Sequence, residues 1–282
     1  MDQAVPMRRT VTRTRVRALV EGHASERSDR LVTEEPMEIR VAGPGQEPIS
    51  VAVTMRTPGG DFELAAGFLL TEGLIAGGQD VRRVSYCEDL EPEDQHYNVV
   101  TVDLAHPFDP ALLHRNFFAT SSCGICGKAT LEHVEVVCPR VAPGPSVRAQ
   151  AIAMMPTALR AAQRVFDQTG GLHAAGLFSA AGELRSLRED VGRHNAVDKL
   201  VGESLLARAL PLSERVLFVS GRSSFEIVQK AGVAGIPIVA SVSAPSSLAV
   251  EVGERLGMTI VGFVRDGRCN VYSHPDRVTV DA

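Results

Sequence analysis

Between residues 215 and 268 the chain alternates short apolar runs with amphipathic ones. "RVLFVS", "IPIVAS" and "MTIVGFV" are separated by "FEIVQKAGV" and "LAVEVGERLG". No other feature restricts the fold as much. Strands that alternate with helices in this way lie parallel and are joined by right-handed crossovers. Their carboxyl ends then share one edge of the sheet, where open α/β sheets bind ligands. Three post-strand loops converge there: Gly221–Ser224, Ser241–Ser247 and Arg265–Arg268. Glycines let main chain approach closely, and helix N–H groups and serines bind phosphate oxygens. Arg222, Arg265 and Arg268 can each grip a phosphate with two bonds. Ordinary polar loops with solvated arginines would carry the same residues, and spacing alone does not separate the two readings.

The rest of the chain supplies smaller units. "MEIRVAG" and "ISVAVTMRT" alternate as half-buried strands do. The turn "TPGGD" follows, with Asp61 placed to cap the helix "FELAAGFLLTEGLI". "CEDLEPEDQHYN" reads as an acidic loop and "VVTVDL" as a strand. The breaker cluster "VAPGPS" precedes a helix predicted from Thr157 to about Gln168. "GLHAAGLFS" and "ELRSLRED" resemble a hairpin around "AAGE". In "NAVDKLVGESLLARAL", Val197, Leu200, Val201 and Leu205 form one stripe of an amphipathic helix. The predicted organisation is an arm over residues 1–35, a small α+β domain over 36–118 and an α/β domain over 119–282.

The arm holds seven arginines against four acids in residues 1–30, so it is +3 while the remainder is −8. It reads as a solvated, poorly ordered terminus. A net charge of −5 argues against a general nucleic-acid binder. No apolar run reaches the roughly 18 residues that span a membrane, and the N-terminus lacks the apolar core of an export signal. Five cysteines in 282 residues fit a reducing compartment, which points to a cytoplasmic protein.

Two of those cysteines stand in "SSCGICGK", and three chemistries fit the spacing. Cys123, Cys126, His133 and Cys138 could make a Cys3His zinc site. A dithiol exchange site normally follows a buried strand, and "HRNFFATSS" is a weak one. The third reading is a sulfur-carrying nucleophile, which needs a thiolate. An unperturbed thiol is only about 3% ionised at pH 7. Lys128 and the N–H groups of a glycine-rich loop could raise that fraction. Cys87, Cys138 and Cys269 read as buried apolar thiols. In "REDVGRHN", Asp190, Arg193, His194 and Asn195 crowd the start of a helix, and capping explains only part of the group. His173 in "TGGLHAA" reads as a structural histidine.

Taken together the motifs resemble the formate dehydrogenase accessory sulfurtransferase family (FdhD). The resemblance runs from "EEPMEIRV" to "NVYSHP". It rests on "TPGGDFELAAGFLLTEGLI", "SSCGICGK", "TGGLHAAGLF", "REDVGRHNAVDKL", "SGRSSFEIVQKAGVAGIPIVASVSAPSSLAVE" and "GFVRDGR" in that order. The resemblance implies a sulfurtransferase. It takes sulfur from a cysteine desulfurase as a cysteine persulfide and passes it to the molybdenum bis(guanine dinucleotide) cofactor of formate dehydrogenase. Cys123 would bear the persulfide, with Cys126 as its partner. The cofactor-binding stretch would be Phe263, Val264, Arg265, Asp266, Gly267 and Arg268. Arg222 is added by placement, with Arg193 and His194 as weaker candidates. The cofactor is cargo, and no metal is bound directly by the protein. The resemblance also implies a homodimer and a three-layer, cytidine-deaminase-like C-terminal domain. The deaminase zinc signature itself is missing, because His173 is followed by Ala174 and Ala175 and the C-x-x-C comes earlier. A cofactor chaperone without catalysis, or a zinc-stabilised binding domain, are the alternative functions.

Overall fold

The computed structural model describes residues 9–87, 97–113, 138 and 140–280. Cys123, Cys126, Lys128, His133 and most of the acidic "CEDLEPEDQHYN" segment lie outside them.

The described chain is a mixed α/β structure built on two main sheets. The N-terminal elements are β1 (Val11–Val20), β2 (His23–Val32), β3 (Glu35–Ala42), β4 (Ile49–Arg56), α1 (Asp61–Thr71), β5 (Val81–Tyr86) and β6 (Val99–Leu104). Then come β7 (Val147–Arg148), α2 (Ala149–Ala162), the one-turn α3 (Phe166–Thr169), β8 (His173–Phe178), β9 (Leu184–Asp190) and α4 (Arg193–Leu206). The last third holds β10 (Val216–Val219), α5 (Phe225–Val233), β11 (Ile238–Ser241), α6 (Ser247–Leu256), β12 (Thr259–Arg265), β13 (Arg268–Ser273) and β14 (Val278–Thr279).

The larger sheet has the order β13-β12-β11-β10-β8-β9. β10, β11 and β12 pair in parallel, as the alternation demands. β8 enters antiparallel to β10, and β9 returns beside it. β12 turns straight back into β13, so the "RDGR" segment is a hairpin tip instead of a strand-to-helix loop. One face of this sheet (Ala174, Phe178, Val216, Phe218, Ile238, Ala240, Val261) is covered by Ile152, Met155 and Leu159 of α2. The other face packs on α4, α5 and α6.

The smaller sheet, β4-β3-β6-β5, carries α1. Its inward residues Met37, Ile39, Val41, Val100 and Val102 belong to the same core as Leu200, Val228 and Ile260. The boundary expected near residue 118 therefore separates two sheets that share one core. The join is the crossing of α1 and α4. A Cβ on Gly67 would lie 1.9 Å from Asp198 O, and one on Gly202 would lie 1.8 Å from Glu63 O. Only glycine permits that approach.

Four local expectations are corrected. Within the arm, Val11–Val20 and His23–Val32 form a β-hairpin whose two-residue turn puts Glu21 and Gly22 at positive φ, the geometry of a tight hairpin. Asp61 does not cap α1, which starts after Gly60 in the left-handed region. Its buried carboxylate instead takes Arg56 at 2.8 Å and the Tyr86 hydroxyl at 3.2 Å. α2 begins at Ala149, eight residues before Thr157, and runs through Pro156. Finally, α4 is buried almost all round, since α1 covers the face opposite the sheet.

The glycine crossing yields a prediction. Gly202→Ala should cost about 3 kcal/mol or prevent folding, because main chain cannot yield as a side chain can. Chemical denaturation against the parent chain measures this, and a loss below about 0.5 kcal/mol would contradict the crossing.

Candidate functional site

Topology decides which residues meet. β9, β10, β11 and β12 end on one edge of the large sheet, and β8 and β13 begin there. The rim therefore gathers His173, the β9–α4 turn, the 220–224 and 242–246 loops and the 263–268 hairpin. Its loops are laced together. Ser246 N–H donates to Ser223 O at 3.0 Å, and Phe263 N–H donates to Ser243 O at 3.1 Å. Gly262 is needed at this crossing, since a Cβ there would lie 2.8 Å from Pro245 Cδ and 3.2 Å from Ser243 O.

The hairpin presents its residues unequally. Val264 is fully buried in the core, so its side chain is not available to a ligand at the rim. A bulge between Gly262 and Arg265 puts Phe263 at φ 53, and the Arg265 guanidinium sits 5.8 Å from the Phe263 ring. Arg265, Asp266, Gly267 and Arg268 are exposed, with Arg268 3.9 Å from Asp266. An ion pair this exposed holds neither side chain firmly.

Arg222 is exposed at the start of the loop that leads into α5. The next residue, Ser223, is fully buried, and its hydroxyl has no hydrogen-bond partner among the described residues. Ser224 precedes α5 without a side-chain cap bond. Glu226 projects from the first turn, and its Oε2 lies 3.9 Å from His194 Nε2. Burial works to raise the Glu226 carboxyl, but the Ser224 hydroxyl, the main chain at Glu226 and the charge of Arg193 outweigh it. The group is ionised.

The β9–α4 turn is held from below. Asp190 is buried and paired with Lys199 at 2.6 Å. It also accepts from Thr57 N at 3.1 Å, Gly192 N at 2.8 Å and Asn195 Nδ2 at 3.0 Å. Lys199 donates onward to Thr57 O at 2.8 Å. Asp190 and Asn195 are thus structural, whereas Arg193 and His194 reach the rim. Arg193 Nε donates to His194 Nε2 at 3.3 Å. Burial, then Arg193 and Lys230, push the His194 pKa down to about 4 against the opposing charges of Glu226 and Glu72. His173, opposite Asp190 in the register and beside Gly221, is also lowered by burial and Arg193.

Two elements at the rim escape the sequence reading. His173 reads as structural, yet β8 starts at the ligand edge because it runs against its neighbours. The "TPGG" turn reads as a connector, yet Thr57 hydrogen-bonds both Asp190 and Val191 beneath the rim. The pairing of "GLHAAGLFS" with "RVLFVS", both apolar throughout, was the available signal.

The thiols divide by environment. Cys123 and Cys126 lie outside the described residues. Cys138 lies in the apolar core, where a Cβ on Gly232 would be 2.4 Å from its sulfur, and burial raises its pKa to about 12. Of the Cys3His set only Cys138 lies among the described residues. Among the described residues no three histidine, cysteine or acidic side chains gather as a metal cluster. Cys87 and Cys269 are half-buried instead of buried. Among the described residues no helix is long and apolar enough to cross a membrane.

A family model described as the FdhD/NarQ family matches residues 32–279, and the chain belongs to that family. A protein of Mycolicibacterium paratuberculosis named sulfur carrier protein FdhD is 52% identical, with 95% of this chain and 98% of that one aligned. A Streptomyces coelicolor protein of the same name is 51% identical over 98% of each. A crystal structure from Desulfotalea psychrophila, provisionally described as a formate dehydrogenase accessory protein, superposes with a TM-score of 0.74. It is 26% identical, covering 96% of this chain and all of that one.

The depressed His194 predicts a pH signature. Its folded value lies below that of an unfolded histidine, 6.5, so the unfolded chain takes the proton first. The stability tied to the neutral ring is whole above pH 6.5 and is lost as the pH falls toward about 4. An NMR titration should find His194 neutral at pH 5.5, and a midpoint near 6.5 would contradict its packing.

Proposed function

We propose that this chain is a sulfur carrier of formate dehydrogenase maturation, acting as a cytoplasmic sulfurtransferase and homodimer. What carries the reading is membership of a family whose relatives, aligned end to end at about half identity, are named sulfur carriers. To this the sequence adds the paired thiols of "SSCGICGK". Cys123 attacks the terminal sulfur of a persulfide on a cysteine desulfurase. One S–S bond breaks as another forms, the donor leaves as a thiolate, and no net oxidation occurs. Cys126 completes the release by attacking the inner sulfur of the Cys123 persulfide. A Cys123–Cys126 disulfide forms and hydrosulfide departs toward the acceptor, so the dithiol supplies both electrons.

The acceptor is the molybdenum bis(guanine dinucleotide) cofactor, handled as cargo before it enters formate dehydrogenase. The rim fits such a ligand. From β12 to β9 it spans four strand spacings, roughly 20 Å. Arg265 and Arg268 lie toward one end, Arg222 in the middle, and Arg193 with His194 at the other. Two pyrophosphates need several separate anion sites, and this spread supplies them. His194, being neutral, acts there as a hydrogen-bonding group and not as a charge. Phe263 offers a ring face beside Arg265 for a purine to stack upon. The same reading takes the C-terminal half as a cytidine-deaminase-like scaffold without its zinc chemistry.

Intact mass after incubation with a desulfurase and cysteine should rise by about 32 Da per sulfur carried, and the rise should vanish in Cys123→Ala. A Cys123→Ala/Cys126→Ala chain that still activates the dehydrogenase would replace this reading with that of a chaperone. Arg265→Ala should weaken guanine nucleotide binding about tenfold, the loss of one charge-assisted contact, and leave persulfide loading intact.

A further inference from the structure

The β1–β2 hairpin is a basic ribbon on an acidic protein, since residues 1–30 carry +3 and the remainder −8. Side chains alternate across a strand, so Arg13, Arg15 and Arg17 of β1 share one face of the ribbon. On that face Arg30 stands directly opposite Arg13, Ser28 opposite Arg15 and Glu26 opposite Arg17. Like charges opposite one another work against strand pairing. Among the described residues no acid forms an ion pair with Arg13, Arg15 or Arg17. No side chain from residue 13 to residue 28 is buried, and Leu19 is exposed toward the tip of the arginine face. A two-stranded ribbon alone is marginal in water, and this one is anchored at its root. Thr33 N–H donates to Thr10 O at 2.9 Å, Arg30 donates to Gln168 Oε1 at 3.4 Å, and a Cβ on Gly171 would lie 3.1 Å from Val32 Cγ1. Gly171 comes two residues before His173. β3, which follows the ribbon, sets Glu35 against Arg56, next to Thr57 beneath the rim. The ribbon is therefore rooted beside the rim.

We infer that the arginine face of β1–β2 docks an acidic surface on the protein that takes the cargo from the rim. Placement selects the recipient, because a ribbon rooted there lies next to whatever approaches the rim. Charge selects the surface, because carboxylates laid over Arg13 and Arg30 relieve their repulsion. Nucleic acid fits less well, since residues 9–32 hold no Phe, Tyr or Trp on which a base could stack. An anionic membrane fits less well, since Glu21 occupies the apex of the turn. The family match starts at residue 32, where β2 ends, so the ribbon lies outside the matched region. This rests on the carrier reading above and adds a docking surface to it.

The test measures binding of the full-length chain to cofactor-free formate dehydrogenase by interferometry, with tRNA and phosphatidylglycerol vesicles as rival probes. Arg13→Gln/Arg15→Gln/Arg17→Gln should weaken binding to the dehydrogenase about tenfold, the sum of three exposed charge pairs. Raising the salt from about 0.05 M to about 0.5 M should weaken the parent similarly and the variant little. Persulfide loading by the desulfurase should not change. Lysine at the same three positions keeps the charge and should restore binding. Loss in both the glutamine and the lysine variants assigns the arginines a structural role and overturns the inference. So does a glutamine variant that binds as the parent does, or a parent that prefers tRNA or vesicles to the dehydrogenase. In each case normal persulfide loading leaves the carrier reading standing. A parent that neither loads sulfur nor binds the dehydrogenase overturns both.

Discussion

The buried carboxylate of Asp190 is the point from which the functional edge is built. It ends β9, pairs with Lys199 of α4 and accepts main-chain bonds from Thr57 and Gly192. Asn195 ties the same carboxylate to Met55 O of β4 through its side-chain amide. A strand end, a helix start and a turn of the other sheet are fixed by one group. Removing one member of such a pair typically costs 3–5 kcal/mol, because the other charge is left buried and unpaired. A second charged set, Lys230 with Asp198 and Glu72, does the same work one turn deeper and joins α5 to α1 and α4. Burial opposes the Lys230 charge, and the two carboxylates more than offset it, keeping the ammonium protonated.

The parallel half of the fold is legible because its period is simple. Apolar runs of four to seven residues, glycine and serine punctuation and two amphipathic helices leave little choice. β10, α5, β11, α6 and β12 fall where the alternation places them. Elsewhere the sequence misleads for physical reasons. β1 and β2 alternate arginine with serine, threonine and a few valines, a pattern shared by solvated arms. The helix predicted to start at Thr157 begins at Ala149 and passes through Pro156. The polar face of α4 reads as solvent-facing, but Asp198 pairs with Lys230 and Lys199 with Asp190, while the Thr71 hydroxyl and the Thr57 carbonyl, over a hundred residues away in sequence, complete their hydrogen bonds. Long-range pairing of buried charge leaves no local mark.

The candidate site shows the same division. Arg222, Arg265 and Arg268 can be found from the parallel topology alone. His173, Arg193 and His194 join them only when β8 and β9 are known to extend the sheet on the far side of β10. Val264 illustrates the reverse error, since a contiguous motif invites every residue to be counted and the alternation of β12 turns this one inward. Cys138 teaches a related lesson. Its thiol is kept protonated by apolar surroundings, the opposite of what carrying sulfur requires, so a cysteine within reach of the motif is no member of it by proximity alone.

The lacing of the rim has a mechanical side. Main-chain bonds run from the 242–246 loop to both of its neighbours, and Gly262 lets the hairpin press against Pro245. Loops tied in that way surrender their conformational freedom when the chain folds, not when cargo arrives. Under the proposed function, docking a large, flexible dinucleotide would cost mainly the ordering of the guest. A carrier that must also let go would gain from this arrangement, because loops tied in that way keep their form and nothing has to unfold for release.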